Sequence, residues 1–320
     1  MRGLRSARRT AAWCLSLCVV CAPAWAQPAE ATDPLPVSQV AAGVFVHFGA
    51  VDEWQPRNAG DVANLGFVVG SRCVAVIDTG GTPQVGRRLL AAVRQATPLP
   101  ICHVINTHAH PDHVLGNVAF TGLGGEPAQF VGSARLDAAL SARERHMLNA
   151  LRRDFGLSLP PEAIVHPTLV VDGRLELDLG DRVLVLTTWP TAHTDHDLTV
   201  YDRKTRTLFL SDLLFVSHLP VLDGQLRGWL GVMESLKGLD VALAVPGHGA
   251  ASSDWPQVMA PQWNYLNALL VQTRAAIKAK MTIQQAVDSI AAPADLKWRL
   301  TELFHRRNVT TAYAELEWED

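Results

Sequence analysis

Seven residues, Thr107-His108-Ala109-His110-Pro111-Asp112-His113, constrain this chain more than any other stretch. Three imidazoles and one carboxylate stand in the pattern H-x-H-x-D-H. They follow directly on an apolar run, Ile101 to Ile105, that reads as a buried strand. In an extended or gently turning segment, side chains two apart point the same way, so His108 and His110 can share one ion. The turn begun by Pro111 then lets Asp112 and His113 aim at a second position beside the first. Neutral imidazole and carboxylate are the ligands that suit zinc and the neighbouring first-row metals. Any one of these residues reads equally well as a surface or core side chain. Four of them on one strand-to-loop junction read as a metal site.

The flanking sequence supplies a rigid scaffold for that junction. Short strands are expected at Val44 to Phe48, Leu65 to Val69 and Cys73 to Ile77, the last ending in the turn Asp78-Thr79-Gly80-Gly81. Residues 82–96 are helical by the spacing of Val85, Leu89, Leu90 and Val93, with Thr82 as N-cap and Pro83 in the first turn. Strand, helix and ligand-bearing strand make the βαβ arrangement of a layered α/β protein. Beyond the cluster come a short strand at residues 129–131, a long helical stretch over 133–155, and strands at 168–171, 174–177, 183–187, 198–201 and 207–210. A helix over 227–239, a last strand at 241–245 and a helical C-terminal part from Trp255 onward complete the chain, with no short-period repeat.

Residues 1–26 read as a secretory signal: Arg2, Arg5, Arg8 and Arg9, then an apolar segment, then Ala24-Trp25-Ala26 as the cleavage site. The apolar run is too short for a spanning helix, so the expectation is a periplasmic protein without stable membrane insertion. Cys18-Val19-Val20-Cys21 lies inside this segment and is assigned no chemistry. Cys73 and Cys102 remain, and the sequence leaves open whether they are bonded or buried as free thiols. Loss of the four arginines leaves 24 basic against 31 acidic residues in the mature chain, and no basic stripe is present, which excludes a nucleic-acid footprint. Residues 27–41 read as a flexible lead-in, 42–252 as the catalytic domain, and 253–320 as a C-terminal helical extension packing on it.

Three further ligand-type residues, His193, Asp212 and His248, each stand just past a predicted strand, where a rigid sheet presents functional groups on loops. The ordered set of Asp78 in I-D-T-G, the His108/His110/Asp112/His113 cluster, His193, Asp212, and His248 in P-G-H-G resembles the metallo-β-lactamase superfamily over about Val44 to Ala251. That resemblance implies an α/β (α+β) four-layer αββα sandwich with the site at one edge of two sheets, plus the C-terminal helical extension. It implies that His108, His110 and His193 hold one ion and Asp112, His113 and His248 a second, with Asp212 bridging both. Asp78 would orient the cluster from behind. Shorter stretches are similar to the SoxH-like group called quinoprotein relay system zinc metallohydrolases. They are Asn64-Leu65-Gly66-Phe67, Ala192-His193-Thr194-Asp195, Asp212-Leu213-Leu214-Phe215, Pro220 to Gly224 with Leu226 to Trp229, and Arg307-Asn308-Val309-Thr310. Ser211 departs from that pattern, since related members often have Gly before the bridging Asp.

The expected cofactors are two Zn2+, and the expected reaction is hydrolysis of an ester, thioester, amide or related bond in a small-molecule substrate. Two ions roughly 3.5–4 Å apart share a water and lower its pKa towards neutrality, giving a bridging hydroxide. Asp112 is the expected catalytic carboxylate, orienting the water and accepting its proton. His218 is the candidate substrate-binding residue. A link to a quinoprotein dehydrogenase or a sulfur-oxidation system follows from the resemblance alone. Two rival activities are a β-lactamase proper, against which Asp212 argues because the best-known subclass has Cys there, and a mononuclear persulfide dioxygenase holding one Fe2+. A binding or relay protein with a structural ion is disfavoured, because structural zinc is closed and four-coordinate. Asp195 and His196 read as a solvated loop pair, with support of the ligands from behind as the alternative, Trp298 and Trp318 as packing residues, and Gly122 to Gly125 as no dinucleotide loop.

Overall fold

Alternation along the strands sorts the apolar residues into layers. The computed structural model describes residues 33–293 and 297–319, so the expected signal segment lies outside the described residues. A seven-stranded sheet runs in chain order: β1 (Ser38–Ala41), β2 (Val44–His47), β3 (Leu65–Val69), β4 (Val74–Ile77), β5 (Ile101–Ile105), β6 (Gln129–Ser133) and β7 (Leu169–Val171). Its first four strands pair antiparallel and β4 to β7 pair parallel. Parallel neighbours need crossovers, and α1 (Pro83–Ala96) supplies the one between β4 and β5. Thr82 caps α1 by accepting from the Val85 amide, as its sequence position predicts. The short helix α2 (Pro111–Val114) and the long α3 (Leu136–Phe155) follow β5 and β6.

The second sheet has five strands in the order β12-β11-β10-β9-β8. These are β8 (Arg174–Asp178), β9 (Val183–Thr188), β10 (Leu198–Asp202), β11 (Thr207–Phe215) and β12 (Leu243–His248), antiparallel except for the parallel β11–β12 pair. Helix α4 (Leu226–Leu236) connects β11 to β12, and α5 (Ala260–Lys278), α6 (Ile283–Ser289) and α7 (Thr301–Leu316) follow.

The period of two decides which residue meets which layer. In β4, Ala75 and Ile77 join Leu184, Leu186, Val200 and Phe209 in the core between the sheets. Val74 and Val76 of the same strand face outward onto Val85, Leu89 and Val93 of α1. In β11, Phe209 points between the sheets while Leu208 and Leu210 meet Trp229 and Met233 of α4 and Leu266 of α5. The result is the expected αββα order, with α5 to α7 added to the outer layer of the second sheet. Each fully buried side chain of this kind contributes about 1.5–3 kcal/mol relative to exposure. Cys73 and Cys102 form a disulfide joining the start of β4 to β5, with Cα atoms 5.8 Å apart.

Two expectations shift. Ser38–Ala41, read as part of the flexible lead-in, pairs with β2 as an edge strand. Asp212 and His248, expected just beyond strands, lie inside β11 and β12, because both strands run on past a local break. The break in β11 falls at Ser211, which has φ +48°, and the β11–β12 register shifts there.

Candidate metal centre

Seven ligand-type side chains converge where the two sheets meet at one edge. Residues 106–113 run from the end of β5 into α2, and the cluster is held from behind by Asp78 at the end of β4. One Asp78 oxygen accepts from the Thr107 amide at 2.9 Å, and the other from the Thr107 hydroxyl and His113 Nδ1, both at 2.8 Å. Asp78 itself takes a left-handed backbone, φ +54°. His193 lies on the loop after β9, Asp212 in β11 and His248 in β12.

They fall into two sets. His108 Nε2, His110 Nδ1, His193 Nε2 and Asp212 Oδ2 form one group, with separations of 3.1, 3.1, 3.4 and 3.7 Å among them. Asp112 Oδ2, His113 Nε2 and His248 Nε2 form the other, beside Asp212 Oδ1. There the separations are 3.6 Å from His113 to Asp112, 3.2 Å from His113 to Asp212, and 3.4 Å from His248 to each carboxylate. Tetrahedral ligands bonded at zinc's nitrogen and oxygen distances stand about 3.4 Å apart, so both sets have the size of an ion's coordination shell. Asp212 serves one set with each oxygen.

The far side of each ring fixes which nitrogen faces inward. His110 Nε2 meets Asp223 Oδ2 at 3.1 Å, His193 Nδ1 the Val221 carbonyl at 2.6 Å, and His248 Nδ1 the Val62 carbonyl at 2.9 Å. His113 Nδ1 meets Asp78, and His108 Nδ1 meets the Thr107 hydroxyl at 3.1 Å. Where the outer partner is an acceptor, the outer nitrogen carries the proton and the inner one presents a lone pair. Lone pairs facing one another at these distances repel unless a cation lies between them. His113 Nε2 and Asp212 Oδ1, both buried, are left without a hydrogen-bond partner, a costly arrangement that an ion relieves. The residues present therefore fit two divalent metal ions.

The electrostatics divide along the same line. Burial holds the His193 imidazole down to about 3, and burial together with the charge of His113 holds His108 well below its ordinary value. Both shifts favour the neutral ring, which donates a lone pair. Burial also opposes charge on His113 and His248, yet Asp212 and Asp112 raise both, with Asp78 adding to the effect at His113. Burial works against ionised Asp212, but His248 and His113 hold it well below the usual carboxylate range. The second set thus draws positive charge to itself.

Gly247 explains part of the P-G-H-G signature. A Cβ there would lie 1.8 Å from Asp212 Oδ1 and 2.7 Å from the Ser211 carbonyl carbon, so only glycine lets β12 pass beside the shared carboxylate. Asn64 ties the same turn down, donating to the Pro246 and Gly249 carbonyls at 2.8 and 2.7 Å.

A cavity of about 460 Å³ opens onto the centre, lined among others by His110, Asp112, Asp212 and His248. His218 is in its wall, stacked on His248 with ring centroids 5.1 Å apart and packed against Phe215 and Phe304. Its Nδ1 donates to the Leu219 carbonyl at 2.6 Å. Burial lowers its pKa to about 4, so the ring is neutral at ordinary pH. His196, read from sequence as solvated, is buried behind the cluster: Nε2 accepts from the Ala109 amide at 3.0 Å and Nδ1 donates to Asp195 at 2.7 Å. Asp223, Arg143 and Arg307 at the cavity were assigned no role from the sequence. Asp223 and Arg307 lie in two of the stretches similar to the SoxH-like group, the one sequence signal that marks them, whereas Arg143 lies in none.

Residues 59–248 match the model of the Metallo-beta-lactamase superfamily. Among solved structures, the chain is similar to the stereoselective inverting sec-alkylsulfatase Pisa1 from Pseudomonas sp., with 15% identity and a TM-score of 0.68. That match covers 88% of this chain and 50% of the sulfatase, so the chain spans about half of its length. It is also similar to the metallo-beta-lactamase from Pontibacter korlensis, with 18% identity, a TM-score of 0.58, and coverage of 73% of this chain and 99% of that one. At such identities the likeness is one of fold.

Proposed function

Taking as premise that the chain belongs to the metallo-beta-lactamase superfamily, we propose that it is an exported binuclear zinc hydrolase cleaving an ester, thioester, amide or related bond of a small molecule. The observation that carries this reading is the shared carboxylate: Asp212 offers one oxygen to each of two three-residue sets. On this reading His108, His110 and His193 hold one ion, Asp112, His113 and His248 the other, and Asp212 spans both. Divalent ions held there would supply Lewis acidity and a water acidic enough to ionise near neutral pH.

The protein's own groups do the rest. Asp112 sits at the cavity floor, with its free oxygen available to orient the attacking water and take its proton. Asp78 keeps His113 and Thr107 in register. His218 offers Nε2 as an acceptor to the substrate in the cavity wall. No side-chain nucleophile is required, and neither disulfide-bonded cysteine lies at the centre.

The Cys73–Cys102 disulfide supports an oxidising, periplasmic location. No described helix is long and apolar enough to cross a membrane. The short motifs shared with the SoxH-like quinoprotein relay group support a link to quinoprotein or sulfur-oxidation metabolism. A sulfate ester belongs among the related bonds, given the likeness of fold to a sec-alkylsulfatase. Antibiotic hydrolysis ranks lower, because Asp212 stands where the best-known β-lactamases have Cys.

Metal analysis of the chain purified without added metal tests the proposal. Close to two zinc ions per chain, with at least one lost in Asp212→Asn, is the expected result. One iron per chain, with oxygen uptake on a persulfide, would overturn it in favour of the dioxygenase.

A further inference from the structure

Two arginines reach the cavity from helices on opposite sides. Arg143 comes from α3, and Arg307 from α7, which lies outside the residues shared with the superfamily. Each lines the cavity and gives one Nη2 to Asp223, at 3.2 and 2.8 Å. Asp223 also receives His110 Nε2 at 3.1 Å.

Orienting His110 requires only a carboxylate. Two guanidiniums are more than this carboxylate neutralises, and the trio carries one surplus positive charge. A guanidinium has five donors, so most of those on each arginine remain free. The side chains are 35% and 51% exposed, open to a ligand yet fixed at one end. Asp52, also in the lining, is engaged by Arg57 at 2.8 Å, while Glu53 beside it borders the cavity with no arginine partner among the described residues. The same cavity also has apolar lining residues, among them Met147, Phe215, Val221 and Phe304.

We infer that Arg143 and Arg307 form an anion-recognition subsite, and that the substrate carries a carboxylate or sulfate-type group held there beside the bond cleaved at the centre. This rests on the binuclear reading and adds a substrate class to it. Arginine is suited to the task, because its planar fork matches oxyanion geometry.

The test uses the metal-loaded full chain and calorimetric binding of three short alkyl thiols that differ only in their far end: mercaptobutyrate, mercaptopropanesulfonate and mercaptopropanol. The thiolate seeks the metal centre in each. A charged hydrogen-bonded contact is worth about 1.5–3 kcal/mol, so at least one acid should bind about ten- to a hundredfold more tightly than the alcohol. Whichever acid is favoured identifies the anion type. Arg307→Ala should remove most of that preference while leaving alcohol binding in place, and Arg307→Lys should restore part of it. Equal binding of acids and alcohol, or a preference unchanged in both Arg307→Ala and Arg143→Ala, would overturn the subsite and leave the metal centre standing. Loss of alcohol binding along with acid binding in Arg307→Ala would also overturn it, making the arginine a positioning residue for His110. Failure of all three thiols to bind the unaltered chain, together with absent metal, would sink the binuclear reading itself and the subsite with it.

Discussion

Ser211 shows how a single residue can break a local rule and be compensated. Its φ of +48° lies in the left-handed region, which costs a non-glycine residue about 1–2 kcal/mol. The strain lets β11 turn Asp212 into the space between the two ligand sets. The serine hydroxyl offsets it by donating its one proton, with Thr107 Oγ1 at 2.8 Å and Asp78 Oδ2 at 3.3 Å as the acceptors in reach. Such a hydrogen bond contributes about 0.5–1.5 kcal/mol. Glycine would relieve the strain, lose the bond and add unfolded-state freedom of about 0.5–1 kcal/mol. Ser211→Gly should therefore change unfolding free energy by no more than about 1 kcal/mol. Ser211→Ala keeps the strain and loses the bond, so it should be the more destabilising, by about 0.5–1.5 kcal/mol relative to the parent. Urea titration of both variants checks the order, and a stability of Ser211→Ala equal to or above that of Ser211→Gly would refute the compensation.

At the scale of elements, the ligands were legible in the sequence because all but Asp212, which lies inside β11, sit at or near a strand end, where periodicity stops and a polar residue stands out. The H-x-H-x-D-H cluster carries four of the seven in consecutive view. The limits of β11 were less legible, since Ser211-Asp212 reads as the end of an apolar run although the strand continues to Phe215. Strand β1 was hidden because Ser38–Ala41 is a half-exposed edge with no alternation to betray it. Asp223 meets Arg143 and Arg307 across sequence separations of 80 and 84 residues, and only the packed helices bring them together. Gly66 in β3 is likewise explained only by the opposite sheet. A Cβ there would lie 2.4 Å from the Phe209 ring of β11, so the glycine is the seat of that ring in the inter-sheet core. Gly66→Ala should cost about 1–3 kcal/mol by overpacking. Shortening the ring in Gly66→Ala/Phe209→Leu should cost less than the sum of the two single changes. Additive losses in a thermodynamic cycle would remove Phe209 as the cause.

For the whole molecule, the arrangement of ligands across the sheets gives metal removal a structural consequence. His108, His110, Asp112 and His113 hang from the end of β5 in the first sheet, whereas Asp212 and His248 belong to the second, and His193 follows its strand β9. Each proposed ion is thus held by both sheets at the edge of the inter-sheet core. Elsewhere that core holds the sheets by apolar packing of Ile77, Val68, Leu186 and Phe209. At the site the contacts are polar, and without cations they set lone pairs against one another. Ions that bind the folded chain and not the unfolded one stabilise it by about 4 kcal/mol at a thousandfold excess over Kd. For a domain of this size 1 kcal/mol moves Tm by about 2–4 °C, so chelation should lower Tm by roughly 10 °C. Because the ions join the two layers, the loss should appear as one cooperative transition moved to lower temperature, not as a separate early melting of a loop. Asp212→Asn, deprived of the carboxylate common to both sets, should melt near the chelated parent and respond little to further chelator. Scanning calorimetry with and without chelator measures both. A chelated protein that melts at the parent temperature, or an Asp212→Asn variant that still loses the full increment on chelation, would show that the ions do not hold the two sheets together.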